Sequence, residues 1–179
     1  MITRQEEQTA RAEAGRHIAE AGITFSEQEL TEMDVADFGL SHIRAEGAQI
    51  LSLFETERVA CRVIFLFAGQ TEPEHWHVGT DEYEGKEETI RVIKGVLRVC
   101  VEGEDNLDVT CIPAGKEEYY TCRHQILLEP NQNLTLYPGM KHWFQAVGGE
   151  CVFYTMSTMT SDSRDPFSDP QVVRKTVIV

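Results

Sequence analysis

Two hydrophobic patterns divide the chain. Residues 4–21 are rich in Ala, Glu, Gln and Arg, a composition that predicts a helix ending near Gly22. Ser26-Glu-Gln-Glu29 has the form of a capping box and predicts a second helix running to about Met33. From Gly39 onward the pattern changes to short apolar runs separated by turn signals. The runs predict strands at Gln49–Phe54, Val59–Phe67, Glu74–His77, Glu88–Ile93, Val96–Val101, Tyr119–Thr121, Gln125–Leu128, Asn133–Tyr137, His142–Ala146 and Cys151–Ser157. Breaks fall at Ala68-Gly69, Lys94-Gly95, Glu102–Asp105, Pro113–Gly115, Glu129–Asn131, Pro138-Gly139 and Gly148-Gly149. Short strands at this spacing predict a β-sandwich or a small barrel. Residues 1–35 read as a helical extension and 36–179 as the barrel with its tail, one domain overall. Thr160–Pro170 reads as loop, and Val172–Val179 as one more strand or a segment packed elsewhere.

Composition narrows the classes. The 179 residues suit one sizeable core. Sixteen Lys and Arg against 30 Asp and Glu give a formal net charge of −14, which argues against nucleic acid and anionic membrane as partners. The five cysteines (Cys61, Cys100, Cys111, Cys122 and Cys151) are odd in number and form no Cys-x-x-Cys pair, so they read as reduced thiols in a cytoplasmic protein. No apolar signal core opens the chain, and no run of about 18 apolar residues is long enough to span a bilayer.

The chemistry concentrates in one stretch. His75 and His77 are two residues apart, so on a strand their side chains share a face about 6–7 Å from each other. Glu88 heads the apolar run Ile90, Val92, Ile93 that breaks at Gly95, and His142 follows the turn Pro138-Gly139. Three imidazoles and a carboxylate suit a hard or borderline divalent ion, and four such ligands leave an octahedral ion two adjacent open positions. His17, His42 and His124 have no such company and read as structural.

These residues resemble a known family. Gly69, His75-x-His77 and Glu88-x6-Gly95 resemble the first motif of the cupin superfamily, and Pro138-Gly-Met-Lys-His142 resembles the second, one residue shorter and without its terminal Asn. The ten-residue spacer between His77 and Glu88 is longer than usual and leaves Glu82 as an alternative ligand, but only Glu88 keeps the Glu-to-Gly spacing. The resemblance implies a mainly β fold: a cupin-type double-stranded β-helix, or jelly-roll barrel, with one or two N-terminal helices.

Further motifs resemble the small D-lyxose isomerases within that superfamily. These are Pro73-Glu-His-x-His77, Glu84-Gly-Lys-x-Glu88-Thr89, Lys141-His-Trp-Phe-Gln-Ala146 and Met33-Asp-x-x-Asp-Phe-Gly-Leu40, and the likeness runs from about Phe25 to Pro170. It implies a homodimeric, Mn²⁺-dependent aldose–ketose isomerase of D-lyxose and D-xylulose, often also of D-mannose and D-fructose. Other divalent ions (Co²⁺, Fe²⁺, Ni²⁺ or Zn²⁺) fit the same ligands. Some relatives carry an acid/base glutamate on the late strand near Met156, where this chain reads Val152-Phe-Tyr-Thr-Met-Ser157.

Such a reaction moves a proton between C1 and C2 through a metal-stabilised cis-enediol and needs a base near the ion. Lys86, in the insertion between the ligands, is the first candidate, since a nearby dication lowers an ammonium pKa. Glu74 is next, ahead of Glu84 and Glu87, and Trp76, Trp143 and Phe144 are candidate walls of a sugar pocket or core residues. The acidic chain favours a free monosaccharide over a phosphorylated one. Two other functions share the ligand set, an Fe(II) oxygenase and a sugar-binding cupin without turnover. An exposed sheet edge and the apolar end Val172–Val179 predict a homodimer.

Overall fold

In the computed structural model, which describes residues 1–81, 83–158 and 164–179, both N-terminal helices form where the pattern places them. Helix α1 spans Arg4–Glu20 and begins at a capping box in which Thr3 and Glu6 bond each other's backbone. Gly22, at φ +84°, carries the chain out of it. Helix α2, Glu27–Glu32, has the Ser26–Glu29 capping box. The buried side of α1 is Ala10, Ala14, Gly15 and Ile18. A Cβ on Gly15 would lie 2.8 Å from Leu30 Cδ1, so glycine there lets α2 sit against α1.

The remaining elements are β1 Asp34–Ala36, β2 Ala48–Glu55, β3 Val59–Leu66, β4 Thr71–His75, β5 Glu88–Val101, a 3₁₀ turn at Val109–Cys111, β6 His124–Leu128, β7 Asn133–Leu136 and β8 His142–Thr158. Among the described residues the strands pair antiparallel, in the order β1-β2-β3-β8-β5-β6, with β4 also on β8 and β7 also on β5. The fold is mainly β with N-terminal helices, a cupin-type barrel.

β5 and β8 are each one long strand where the sequence predicts two. The turn signals at Gly95 and Gly148 mark bends inside a continuous ladder: β5 shifts register on β8 between Val92 and Val96. Gly95 sits at φ +84°, and a Cβ there would lie 2.2 Å from Glu150 O across the ladder. Two further expectations are corrected, and the open choice for the chain's last residues resolves to a segment packed elsewhere. Tyr119–Thr121 is not a strand, because Tyr119 N–H closes a turn on Lys116 O at 2.8 Å. Strand β1 lies where none was predicted, and its three residues are too short to show a period of two. Val172–Val179 joins no sheet; it runs along the N-terminus, with a single parallel bridge between Ile178 and Ile2.

Alternation along β2 and β3 explains where the core sits. Ile50 and Ile64 face the barrel interior with Val92, Val99, Phe144 and Phe153. Their neighbours Leu51, Val63 and Phe65 face out, where Ala14 and Ile18 of α1 cover them. Each fully buried side chain of this size contributes about 1.5–3 kcal/mol, so the helices are part of the sheet's stability. The division expected between residues 35 and 36 falls inside β1. All five cysteines are free thiols, and four of them are buried. No helix among the described residues is long and apolar enough to cross a membrane.

Candidate metal centre

Strand pairing assembles the histidines. β4 ends at His75, which stands directly opposite His142, the first residue of β8. His77 follows two residues later, past the end of the strand expected to reach it, its carbonyl held by Gly139 N–H at 2.9 Å from the Pro138-Gly139 turn. Ring centroids are 4.3 Å apart for His75 and His142, 5.0 Å for His77 and His142, and 5.2 Å for His75 and His77. One nitrogen from each of the three rings lies within 4.8 Å of the others, and all three residues are buried.

Each ring is held from behind. His75 Nδ1 lies 2.8 Å from Pro73 O, His142 Nδ1 2.8 Å from Met140 O, and His77 Nδ1 2.9 Å from Asp165 Oδ2. Acceptors on Nδ1 put the proton there and leave Nε2 as the free lone pair. His77 Nε2 and His142 Nε2 are buried with no hydrogen-bond partner among the described residues. Orphaned buried nitrogens are costly unless something binds them, and a divalent ion at their meeting point fits the donor set.

The charges around the rings agree. Burial, then the neighbouring His142 and His77, holds His75 well below its ordinary pKa. Burial and His77 push His142 down to about 3. Both are therefore neutral near pH 7, the form that ligates. Burial opposes a proton on His77 too, but the hydrogen bond to Asp165 and the nearby Glu88 carboxylate outweigh it and raise its pKa. Glu88, at the head of β5, places Oε2 3.6 Å from His77 Nε2. Burial works against its charge, yet Lys86 and then His77 hold it well below the usual carboxylate range.

Lys86 is buried, with Nζ 3.2 Å from Glu88 Oε1. A narrow internal cavity runs beside these groups, and Lys86, Glu88 and His75 line it with Arg62, Glu72, Thr155, Asp165 and Arg174. Phe38, Phe144 and Phe167 form apolar walls.

Glu74 is not brought to this cavity. It precedes His75 on β4, so its side chain leaves the strand on the other face. There its carboxylate accepts from Thr121 Oγ1 and Cys122 N–H at 2.7 Å and from Ser168 Oγ at 2.5 Å. Glu82 lies outside the described residues. Glu84 and Glu87 are exposed. Of the three aromatic candidates only Phe144 reaches the cavity. Trp143 is core, its Nε1 donating to Cys122 O at 2.8 Å, and Trp76 lies under Lys141 Nζ at 4.9 Å. His17 stacks on Phe65 with centroids 5.0 Å apart, and His124 Nδ1 bonds Glu104 O at 2.9 Å, both away from the cluster.

Several cavity residues went unread in the sequence. Arg62 did leave a signal: it is a cation in the apolar run of β3, on the same face as Ile64, and it pairs across the ladder with Thr155. Asp165 and Phe167 left none, since the tail that carries them has no period.

Fold and site together define a cupin-type barrel with a buried three-histidine centre. A family model described as D-lyxose isomerase matches residues 4–178, and the chain belongs to that family. The D-lyxose ketol-isomerase of Cohnella laeviribosi is 38% identical over 170 residues, covering 94% of this chain and 93% of its own length. The D-lyxose/D-mannose isomerase of Thermosediminibacter oceani is 37% identical over 158 residues, covering 88% and 87%. Among solved structures, the L-ribose isomerase of Acinetobacter sp. DL28 (mutant E204Q, with L-ribose) superposes with a TM-score of 0.82 at 14% identity, covering 99% of this chain and 98% of its own. The ligand-free L-ribose isomerase of Cellulomonas parahominis gives 0.81 at 14% identity, with the same coverage. At that identity the likeness is one of fold.

Proposed function

We propose that the protein is a divalent-metal-dependent aldose–ketose isomerase that interconverts D-lyxose and D-xylulose, with D-mannose and D-fructose as a weaker pair. The observation that carries the reading is the convergence of His75, His77 and His142, with Nε2 of His77 and of His142 left without a hydrogen-bond partner among the described residues. The names of the relatives supply the two aldoses, D-lyxose and D-mannose. His75, His77, His142 and Glu88 are the ligands, and Mn²⁺ is the ion. When bound, such an ion polarises a carbonyl and stabilises negative charge on adjacent oxygens.

The chain's own groups do the rest. Lys86, buried in the cavity wall beside Glu88, moves the proton between C1 and C2. Phe38, Phe144 and Phe167 exclude water, and Thr155 and Asp165 offer oxygens to sugar hydroxyls. The cations of the cavity stand beside carboxylates: Arg62 with Glu55, Lys86 with Glu88, and Arg174 with Asp34. That pairing favours a free sugar over a sugar phosphate, whose charge needs a basic clamp.

The protein acts as a homodimer in this reading. Phe54, Cys61 and Met156 stand opposite one another across β2, β3 and β8, and Phe54 and Met156 are exposed. Val173, Val177 and Val179 add exposed apolar surface at the other terminus. Light scattering at micromolar concentration should give twice the 20.3 kDa chain mass; the chain mass itself would refute the dimer.

Chromatography of D-lyxose incubated with the Mn²⁺-loaded protein tests the activity. D-Xylulose should appear, and D-fructose more slowly from D-mannose. Conversion of no aldopentose or aldohexose would end the isomerase reading, and oxygen uptake with a sugar would replace it by an oxygenase.

A further inference from the structure

The tail from Asp165 to Ser168 lies along the end of β4 and the two residues that follow it, Trp76 and His77. Trp76 N–H donates to Pro166 O at 3.3 Å, Phe167 forms an antiparallel bridge with His75, and Ser168 N–H donates to Glu74 O at 3.0 Å. Ser168 also donates through Oγ to the Glu74 carboxylate, which Thr121 and Cys122 fix from the body of the protein. Beyond this, Lys116 pairs with Asp169, and Val173 N–H bonds Phe38 O at 2.8 Å. The segment is thus stitched down on both sides of the metal centre.

That stitching delivers Asp165 to the back of His77. His75 and His142 are steadied by carbonyls two residues before them in the chain. His77 has no such local acceptor. Its Nδ1 partner comes from 88 residues away, through a 2.9 Å contact with a carboxylate whose side chain is 7% exposed.

We infer that Asp165 is a positioning residue of the metal centre, holding His77 in the Nδ1–H form with Nε2 turned inward, and that Glu74 anchors the strap that presents it. The inference rests on the metal reading above and deepens it. A carboxylate behind a ligating histidine fixes ring and tautomer, and its loss typically costs about 10–100-fold in metal affinity. Glu74 acts on the centre at one remove, as a clamp and not as the base.

The test uses the full-length apoprotein and Mn²⁺ alone. Free Mn²⁺ is followed by electron paramagnetic resonance, and the His77 tautomer by long-range ¹H–¹⁵N NMR at a pH above the ring's titration. Wild type should show His77 as Nδ1–H and bind Mn²⁺. Asp165→Ala should lose that tautomer and weaken Mn²⁺ binding by about 10–100-fold. Asp165→Asn, which keeps an acceptor, should recover part of both. Ser168→Ala, remote from the ion, should shift the same signals in the same direction with its circular dichroism unchanged. Wild-type affinity and tautomer in Asp165→Ala would overturn the inference. If wild type itself bound no divalent ion, the metal reading would fail, and the tautomer spectra would still show whether Asp165 sets His77.

Discussion

His75 and His142 face each other across the β4–β8 ladder, 67 residues apart in the chain and 4.3 Å apart between ring centroids. A cross-strand pair is as close as two residues on neighbouring strands can come. The ladder therefore brings the third imidazole to the pair His75 and His77, and the centre depends on register. A slip of one residue would turn either ring to the opposite face.

Metal content should follow these ligands. His77→Ala purified beside wild type should show much less bound divalent ion by elemental analysis. Glu88→Gln should lose most of its ion and Glu82→Gln should keep it. Equal metal in wild type and His77→Ala would sink the assignment, and a reversal between the two Gln variants would move the carboxylate ligand to Glu82.

Lys86 sits against Glu88 on the cavity wall. Lys86→Met should keep the metal and lose roughly 10²-fold or more in turnover, the usual contribution of a positioned acid/base. Full activity in this variant would place the base elsewhere. Glu74, occupied by Thr121, Cys122 and Ser168, would be a poor successor.

Metal affinity should rise with pH through neutrality. His77 has a raised pKa in the apoprotein, whereas His75 and His142 are depressed and already neutral. An ion must displace the His77 proton, so binding releases a proton below that pKa and none above it. The Mn²⁺ association constant should climb by up to about tenfold per pH unit on the acid side and then level off. Titration calorimetry in buffers of different ionisation enthalpy reads the released proton directly. A flat profile from pH 6 to 8 would contradict the role of Asp165 and Glu88 in charging His77.

Gly95 tests the ladder itself. Alanine there would need a left-handed backbone and a Cβ 2.2 Å from Glu150 O. Gly95→Ala should destabilise the protein by at least about 1–3 kcal/mol, seen as a lower midpoint in urea. An unchanged midpoint would mean that the bend between β5 and β8 tolerates a side chain.

Much of this centre was legible because its parts obey local rules. Two histidines at strand spacing, a glutamate heading an apolar run and a histidine after Pro-Gly can be read without a structure. So can the helices, whose caps are local. Long-range devices leave no such trace. Gly95 and Gly148 look like strand ends because a glycine at positive φ serves a turn and a bend alike. Glu74 looks like a base because it adjoins His75, yet strand alternation turns it away. Asp165 lies in a polar tail without period, and only tertiary contacts bring it to His77.

An isomerase of this kind exchanges a carbon-bound proton only with its metal in place. The direct measurement is NMR of D-lyxose in D₂O with the protein stripped of metal and then given Mn²⁺. Deuterium should enter at C2 of D-lyxose and C1 of D-xylulose only when Mn²⁺ is present, and His142→Ala should abolish it. No incorporation with wild type and Mn²⁺, or equal incorporation without the ion, would contradict this mechanism.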